Sequence, residues 1–289
     1  MISYYLLAPI LWFISILPIK VLYFVSDIAY WIIYKLIGYR TEVVTTNIQR
    51  SFPTMRSIDQ QHLKDAFYHH FCDYIVETMK LYSISFKSLQ SHIRFTDEAY
   101  ALLKKYEQSQ QSYILVMGHL GNWEWAGAIF SGTSKTPLNA VYHPLHNKGM
   151  DKIMRRLRTR FGSDVVPMKE TLKTMIKTKN EGVATVLLAD QTPPPDGAHW
   201  TTFLNQETPI FNGTEKISQK LNLPIIYGFV YKVGRGQYVI ECEELITDPR
   251  SYNKGEIADI YTQRIEKDII RQPYTWLWSH KRWKHKRKH

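Results

Sequence analysis

Hydrophobic positions along the chain fall into three regimes. In the first, residues 1–19 carry no charged side chain, and a second apolar stretch, 21–37, is interrupted only by Asp27 and Lys35. An apolar run of about 20 residues is the length that crosses a bilayer. The pattern predicts two apolar helices joined near Pro18, with Pro9 kinking or starting the first. Trp12, Trp31 and several tyrosines suit a lipid–water interface, and Lys20, Lys35 and Arg40 suit its cytoplasmic side. One true span and a shallow hairpin in one leaflet both fit, and a buried helical hairpin of a soluble core is the remaining alternative. Asp27 and Lys35 argue against a full second span, because a charge in mid-membrane is costly. A secretory signal peptide fits poorly, since no basic segment leads the run and no small-x-small site follows it.

The second regime is helical. Residues 41–51 and 58–82 read as helices separated by the breaker Ser51-Phe52-Pro53-Thr54. The longer helix carries His69, His70, Phe71, Asp73, Glu77 and Lys80 among apolar positions. Adjacent histidines point apart on a helix, so His69 and His70 give a paired metal site little support.

The third regime begins near residue 112, where short apolar runs alternate with helical stretches. Tyr113–Met117 precedes 122–131, Leu138–Tyr142 precedes 147–161, and Asp164–Val166 precedes 170–179. Ala184–Ala189 follows, then a helix over 212–221 and strands Pro224–Tyr231 and Gln237–Glu241. This alternation predicts an α/β fold: a mixed, largely parallel sheet flanked by helices, with the N-terminal apolar helical hairpin attached. The expected organisation is a membrane-anchoring hairpin over 1–40. An α/β domain over 41–289 follows, with a helical first part and a basic C-terminal tail.

Composition narrows the classes. With 289 residues and 44% apolar content, the chain can fill one large domain plus a small appendage. The only cysteines, Cys72 and Cys242, lie far apart, which gives neither a disulfide framework nor zinc-ligand spacing. The net charge of +11 calls for an acidic partner. Nucleic acid has no recognised binding motif in its favour. The tail Lys281–His289 suits an anionic lipid surface or plain solvent. No G-x-S-x-G elbow, Walker loop or dinucleotide fingerprint is present.

The chemistry concentrates in Gly118-His119-Leu120-Gly121-Asn122-Trp123-Glu124-Trp125. His119 follows a buried strand, at the edge where open α/β sheets bind ligands. Asn122 is a good N-cap for the next helix, which puts Glu124 in its first turn. On a straight helix the five-residue offset would set the His119 and Glu124 side chains about 140° apart. With His119 in the loop and Gly121 free to turn, the chain can fold back so that the Glu124 carboxylate holds one imidazole nitrogen. The other nitrogen is then a general base for a hydroxyl, with no protein nucleophile, metal or organic cofactor needed. Arg158 and Arg160 are candidates for binding phosphate or stabilising an oxyanion, against the alternative of a solvated basic face. Asp190, at a second strand end, is placed to orient an arginine or an acceptor hydroxyl, or is a turn residue before Pro193. His143 and His146 read as loop residues.

The block G-H-L-G-N-W-E-W resembles the acyltransferase motif of the bacterial lipid A biosynthesis (late, secondary) acyltransferases, within the lysophospholipid acyltransferase-like superfamily. The resemblance covers most of the chain. Asn47-Ile48-Gln49-Arg50-Ser51-Phe52-Pro53 is similar to an N-x-x-x-x-F-P segment, and Tyr142–Gly162 to a segment ending in an arginine pair, here Arg158 and Arg160. Leu187–Gln191 is similar to a strand-end aspartate, Phe211-Asn212-Gly213-Thr214 to a glycine-centred helix start, and Trp276–Trp283 to a C-terminal signature. The phosphate-binding F-P-E-G-T block of glycerol-phosphate acyltransferases is absent, which argues against a simple glycerophosphate acceptor. The resemblance implies catalysis by His119 and Glu124, with substrate contacts from Arg158, Arg160, Asp190, Asn122 and Gly213. It implies acyl-acyl carrier protein as donor and a phosphorylated glycolipid, a lipid A precursor, as acceptor. It also implies a site on the cytoplasmic face of the bacterial inner membrane. Two rivals are the same chemistry on a lysophospholipid or aminoacyl lipid, and a non-enzymatic membrane-surface protein that binds anionic lipid.

Overall fold

The computed structural model describes residues 2–287. Lys288 and His289, the end of the basic tail, lie outside the described residues.

Two apolar helices open the chain, α1 (Ile2–Ile16) and α2 (Ile19–Tyr30), the second running on into a π-helical stretch, Trp31–Leu36. They meet at Pro18, as the pattern predicts, and bend there by 120°. Pro9 lies inside α1 rather than at its start. No single helix among the described residues is long and apolar enough to cross a membrane. The carbonyls left over at the end of α1 are satisfied by the next layer. Lys80 Nζ donates to the carbonyls of Ser15 and Leu17, both at 2.7 Å, and Ser83 Oγ donates to that of Ser15. The ammonium also suits the negative end of a helix.

Helices α3 (Thr41–Ser51) and α4 (Ser57–Lys80) follow, separated at Phe52-Pro53. Then come α5 (Phe86–Gln90), β1 (Ile93–Phe95) and α6 (Asp97–Ser109), in a stretch to which the periodicity assigned no element. The alternating part runs β2 (Tyr113–Met117), α7 (Trp123–Thr133), β3 (Leu138–Tyr142), α8 (Lys148–Thr159), β4 (Asp164–Pro167), α9 (Thr171–Thr178) and β5 (Ala184–Leu188). A two-stranded hairpin, β6 (His199–Phe203) and β7 (Gln206–Ile210), precedes α10 (Gly213–Leu221), β8 (Ile225–Gly234), β9 (Gln237–Ile246) and α11 (Glu256–Arg271).

Seven strands form one sheet in the order β1-β9-β8-β2-β5-β3-β4. Neighbours are parallel except β8 and β9, which form an antiparallel pair. The mixed, largely parallel sheet flanked by helices is the expected architecture. Strand β2 is buried along its whole length and divides the core by period two. Ile114 and Val116 face a layer with Met175 of α9 and Ile257, Tyr261, Ile265 and Ile269 of α11. Leu115 and Met117 face the opposite layer, with Trp125, Ile129 and Phe130 of α7 and Ile153 and Leu157 of α8. Helix α1 rests on α8 at Gly149, where a Cβ would lie 2.6 Å from the Tyr4 backbone nitrogen, so only glycine permits this approach.

A buried carboxylate ties the N-terminal helices to the sheet. Glu77 of α4 has no solvent exposure. It accepts hydrogen bonds from Tyr23 of α2 (2.9 Å), Tyr238 of β9 (2.8 Å) and the Asn122 amide (2.8 Å). Its backbone carbonyl accepts from the Trp125 indole. Burial pushes its carboxyl up to about 7, against the opposing pull of Lys232 and of the Tyr238 and Asn122 donors. The folded protein therefore holds a proton here that the unfolded chain releases near its ordinary value of 4.5. Stability from this group falls as pH rises from about 4.5 to about 7, by about 3 kcal/mol at most. Glu77→Gln should flatten that dependence: urea unfolding at pH 5 and pH 7.5 should differ less in the variant than in the wild type. An unchanged difference would place the proton elsewhere.

Candidate active site

His119 lies two residues past the end of β2, in a turn that the sequence shapes closely. Gly121 adopts φ +60°, and a Cβ there would stand 2.4 Å from the Val230 carbonyl oxygen, so glycine is required twice over. Asn122 caps α7 by accepting from the Trp125 amide at 2.9 Å. The C-terminal segment clamps the turn from the other side. Gly121 N–H donates to the Thr275 carbonyl, Leu277 N–H donates to that of His119, and Leu120 and Trp276 form an isolated antiparallel bridge.

The sheet register supplies the partner of His119. Met117 of β2 lies opposite Leu188 of the parallel neighbour β5, which brings Asp190 level with His119. Asp190 accepts the His119 Nδ1 contact at 2.6 Å through one oxygen. Its other oxygen accepts the His119 backbone N–H at 2.9 Å and the Trp276 indole N–H at 2.7 Å. Burial alone would push this carboxyl up, but the His119 imidazole, its backbone N–H and the Trp276 indole outweigh it and hold it at about 2. An ionised Asp190 fixes the tautomer with the proton on Nδ1, leaving the Nε2 lone pair available. The Gln191 amide sits 3.3 Å from Nε2, and the Trp123 ring stands edge-on 5.0 Å away.

Glu124 does not hold the imidazole, contrary to the expectation from its offset. It is in the first turn of α7, as expected, but its carboxylate is taken by Arg158 of α8. Nε lies 3.2 and 3.0 Å from its two oxygens, and Nη2 lies 2.6 Å from one of them. Burial opposes the charge on Arg158, and the Glu124 carboxylate more than restores it, raising its pKa. Such a fork is geometrically specific, and a lysine would not reproduce it.

Both pairs open on one cavity of about 480 Å³. His119, Glu124, Arg158 and Gln191 line its polar end. Most of the remaining lining is apolar, including Met117 and Leu115 of β2, Phe130 of α7, Val186 of β5, Phe95, Ile240 and Cys242, with His143, Asp151 and Ser163 as further polar members. A largely apolar cavity with a few convergent polar groups beside His119 suits a ligand with a reactive head and a hydrocarbon body.

The other expected contacts are placed differently. Arg160 donates to the Leu81 carbonyl and stacks on Phe161, and does not line the cavity. Gly213 begins α10 outside the cavity lining, which includes Phe211 instead. Asn122 is fully buried between the α7 cap and Glu77, so it supports the turn from behind. Asp190 faces His119 rather than an arginine. Gln191 and Trp123, beside the ring, and the role of Trp276 were missed. The dense tryptophans of 276–283 were the available signal for the last.

The chain matches the family model of the bacterial lipid A biosynthesis acyltransferases over residues 1–285. It belongs to that family. It is therefore an acyltransferase. No protein of curated function matches it.

Two predictions test the geometry of this acyltransferase. Asp190→Asn should leave the chain folded but turn an amide donor towards the His119 or Trp276 donors. Acyl transfer should fall by on the order of 10³- to 10⁴-fold, as when a buried aspartate behind a catalytic histidine is neutralised; a loss under tenfold would assign the ring another support. Arg158→Met should strand a nearly buried carboxylate and lower the unfolding free energy by about 2–4 kcal/mol, less than a fully buried pair because Arg158 keeps contact with water. Adding Glu124→Gln should recover part of that loss in chemical denaturation. Equal destabilisation of the single and double variants would contradict the pairing.

Proposed function

We propose that the protein transfers a fatty acyl chain from acyl-acyl carrier protein to a hydroxyl of a phosphorylated lipid A precursor. The single observation that carries this reading is the His119 Nε2 facing an apolar cavity while Asp190 holds the opposite ring nitrogen. His119 Nε2 takes the acceptor hydroxyl proton as the oxygen attacks the thioester carbonyl carbon. The resulting tetrahedral oxyanion collapses, the C–S bond breaks, and the proton held by His119 passes to the leaving thiolate. The products are an ester and a free carrier thiol. Asp190, rather than Glu124, orients the ring and balances the imidazolium charge. Glu124 holds Arg158 at the cavity edge, where the guanidinium faces the developing negative charge or an acceptor phosphate. The acyl chain occupies the apolar end towards Ile240 and Cys242.

Helices α1 and α2 with the π-helical stretch that follows them seat the enzyme on the cytoplasmic face of the inner membrane. Their exposed Leu6, Ile10, Phe13, Phe24, Ile28 and Leu36 support this seat. The 120° bend and the charged Asp27 favour a hairpin lying in one leaflet over two spans.

Incubation of the purified protein with acyl-acyl carrier protein and a lipid A precursor, followed by mass spectrometry, should show one added acyl chain. His119→Ala should lower the rate by about 10²- to 10⁴-fold. Full activity in that variant would overturn the general-base reading. Transfer only to a lysophospholipid or aminoacyl lipid would move the acceptor without changing the chemistry.

A further inference from the structure

The cavity mouth is rimmed by exposed apolar side chains that the transfer chemistry does not use. Leu145 and Met168 both line the cavity and are each 45% exposed. From Met168 the chain enters a short 3-10 turn and then α9. Thr171 and Met175 face the core. Leu172 and Ile176, one turn apart, stay 37% and 45% exposed. Beside them, Lys169, Lys173 and Lys177 repeat at the same spacing, all exposed, with Lys179 following. Residues four apart lie on one face of a helix, so the apolar row and the lysine row run side by side. An exposed apolar stripe flanked by lysines is the pattern of a helix seated in a lipid–water interface, with the ammonium groups reaching anionic headgroups.

We infer that α9 is a second membrane-contact element, which binds an anionic lipid surface and holds the cavity mouth against it. Continuity favours a bilayer over an acidic protein. The start of α1 reaches the same rim: Ser3 bonds Asn147, two residues after Leu145, and Tyr4 packs at Gly149. Exposed apolar residues therefore frame the mouth on the α1 side and on the α9 side. The inference rests on the reading of α1–α2 as the membrane seat, and adds a second contact that orients the enzyme.

The test uses the full chain with vesicles of phosphatidylethanolamine and phosphatidylglycerol, and with phosphatidylcholine vesicles as the neutral control. Flotation of the wild type should rise with phosphatidylglycerol content. Lys173→Gln with Lys177→Gln should flatten that rise, with about tenfold weaker partition at the highest anionic content. Leu172→Gln with Ile176→Gln should lower acyl transfer to acceptor embedded in anionic vesicles by about fivefold or more, and leave transfer to the same acceptor in detergent micelles unchanged. These four side chains are exposed, so the fold is not at stake. If the wild type fails to float at all, the membrane seat of α1–α2 fails and takes this inference with it. If the wild type floats, and both double variants float and act on vesicles as it does, the α9 contact alone is overturned. Equal losses in vesicles and micelles would also overturn it, in favour of docking to an acidic protein.

Discussion

The buried Asp190 carboxylate is the point on which the site depends. Removing an ionised carboxylate from water costs several kcal/mol unless its lone pairs are satisfied. Here three donors meet it, from two separate parts of the chain. The ring and the backbone N–H come from His119 at the end of β2, and the indole N–H comes from Trp276 in the C-terminal segment. The β2–β5 register, the turn at Gly121 and the return of residues 273–278 to the sheet edge must all be correct together for that charge to be tolerated. The arrangement links the His119 tautomer to the closure of the fold.

A second buried carboxylate shows what the choice of donors decides. Glu77 is as deeply buried as Asp190, yet its pKa moves up to about 7 while that of Asp190 is held at about 2. The donors that bond Glu77 are two phenols and an amide, which carry no charge. Asp190 is bonded by an imidazole that can carry one. The first environment favours a proton on the acid, the second an ionised carboxylate. Glu77 lies directly behind Asn122, so one side of the His119 turn rests on a carboxyl that burial drives towards its protonated form and the other faces an ionised carboxylate.

Much of this was legible in the sequence, and the limits have physical reasons. The strands from 113 to 188 are short apolar runs bounded by breakers, and the structure places them within a residue or so. His119 at a strand end and Asn122 as a cap were readable because both depend on neighbours along the chain. The partner of His119 was not, because it arrives laterally from another strand, 71 residues away. An offset within one motif sees only Glu124, and nothing local shows that Arg158 claims it. The two arginines were separable in principle. Residues two apart on a helix lie about 160° from one another, so Arg158 and Arg160 cannot both face the cavity. The elements at 86–109 escaped because they precede the strand–helix alternation that begins near residue 112, and the helix at 256–271 because no strand follows it to complete that alternation.

Acyl transfer also faces a competitor that the dyad by itself does not reject. A histidine that removes a proton from a sugar or acyl hydroxyl will remove one from water equally well, and a thioester is readily hydrolysed. The His119 side chain is 15% exposed, so water has access to it. Selectivity for the acceptor on the proposed reading must come from what covers the cavity mouth. On that reading the donor chain fills the apolar part of the cavity, and the Glu124–Arg158 pair lines one wall. The remaining opening lies at the rim where Leu145 and Met168 stand exposed. A rim of apolar side chains pressed to a bilayer admits a lipid hydroxyl and excludes bulk water. With the proposed membrane seat, the orientation of the enzyme becomes part of the chemistry, because it sets which oxygen reaches His119 first.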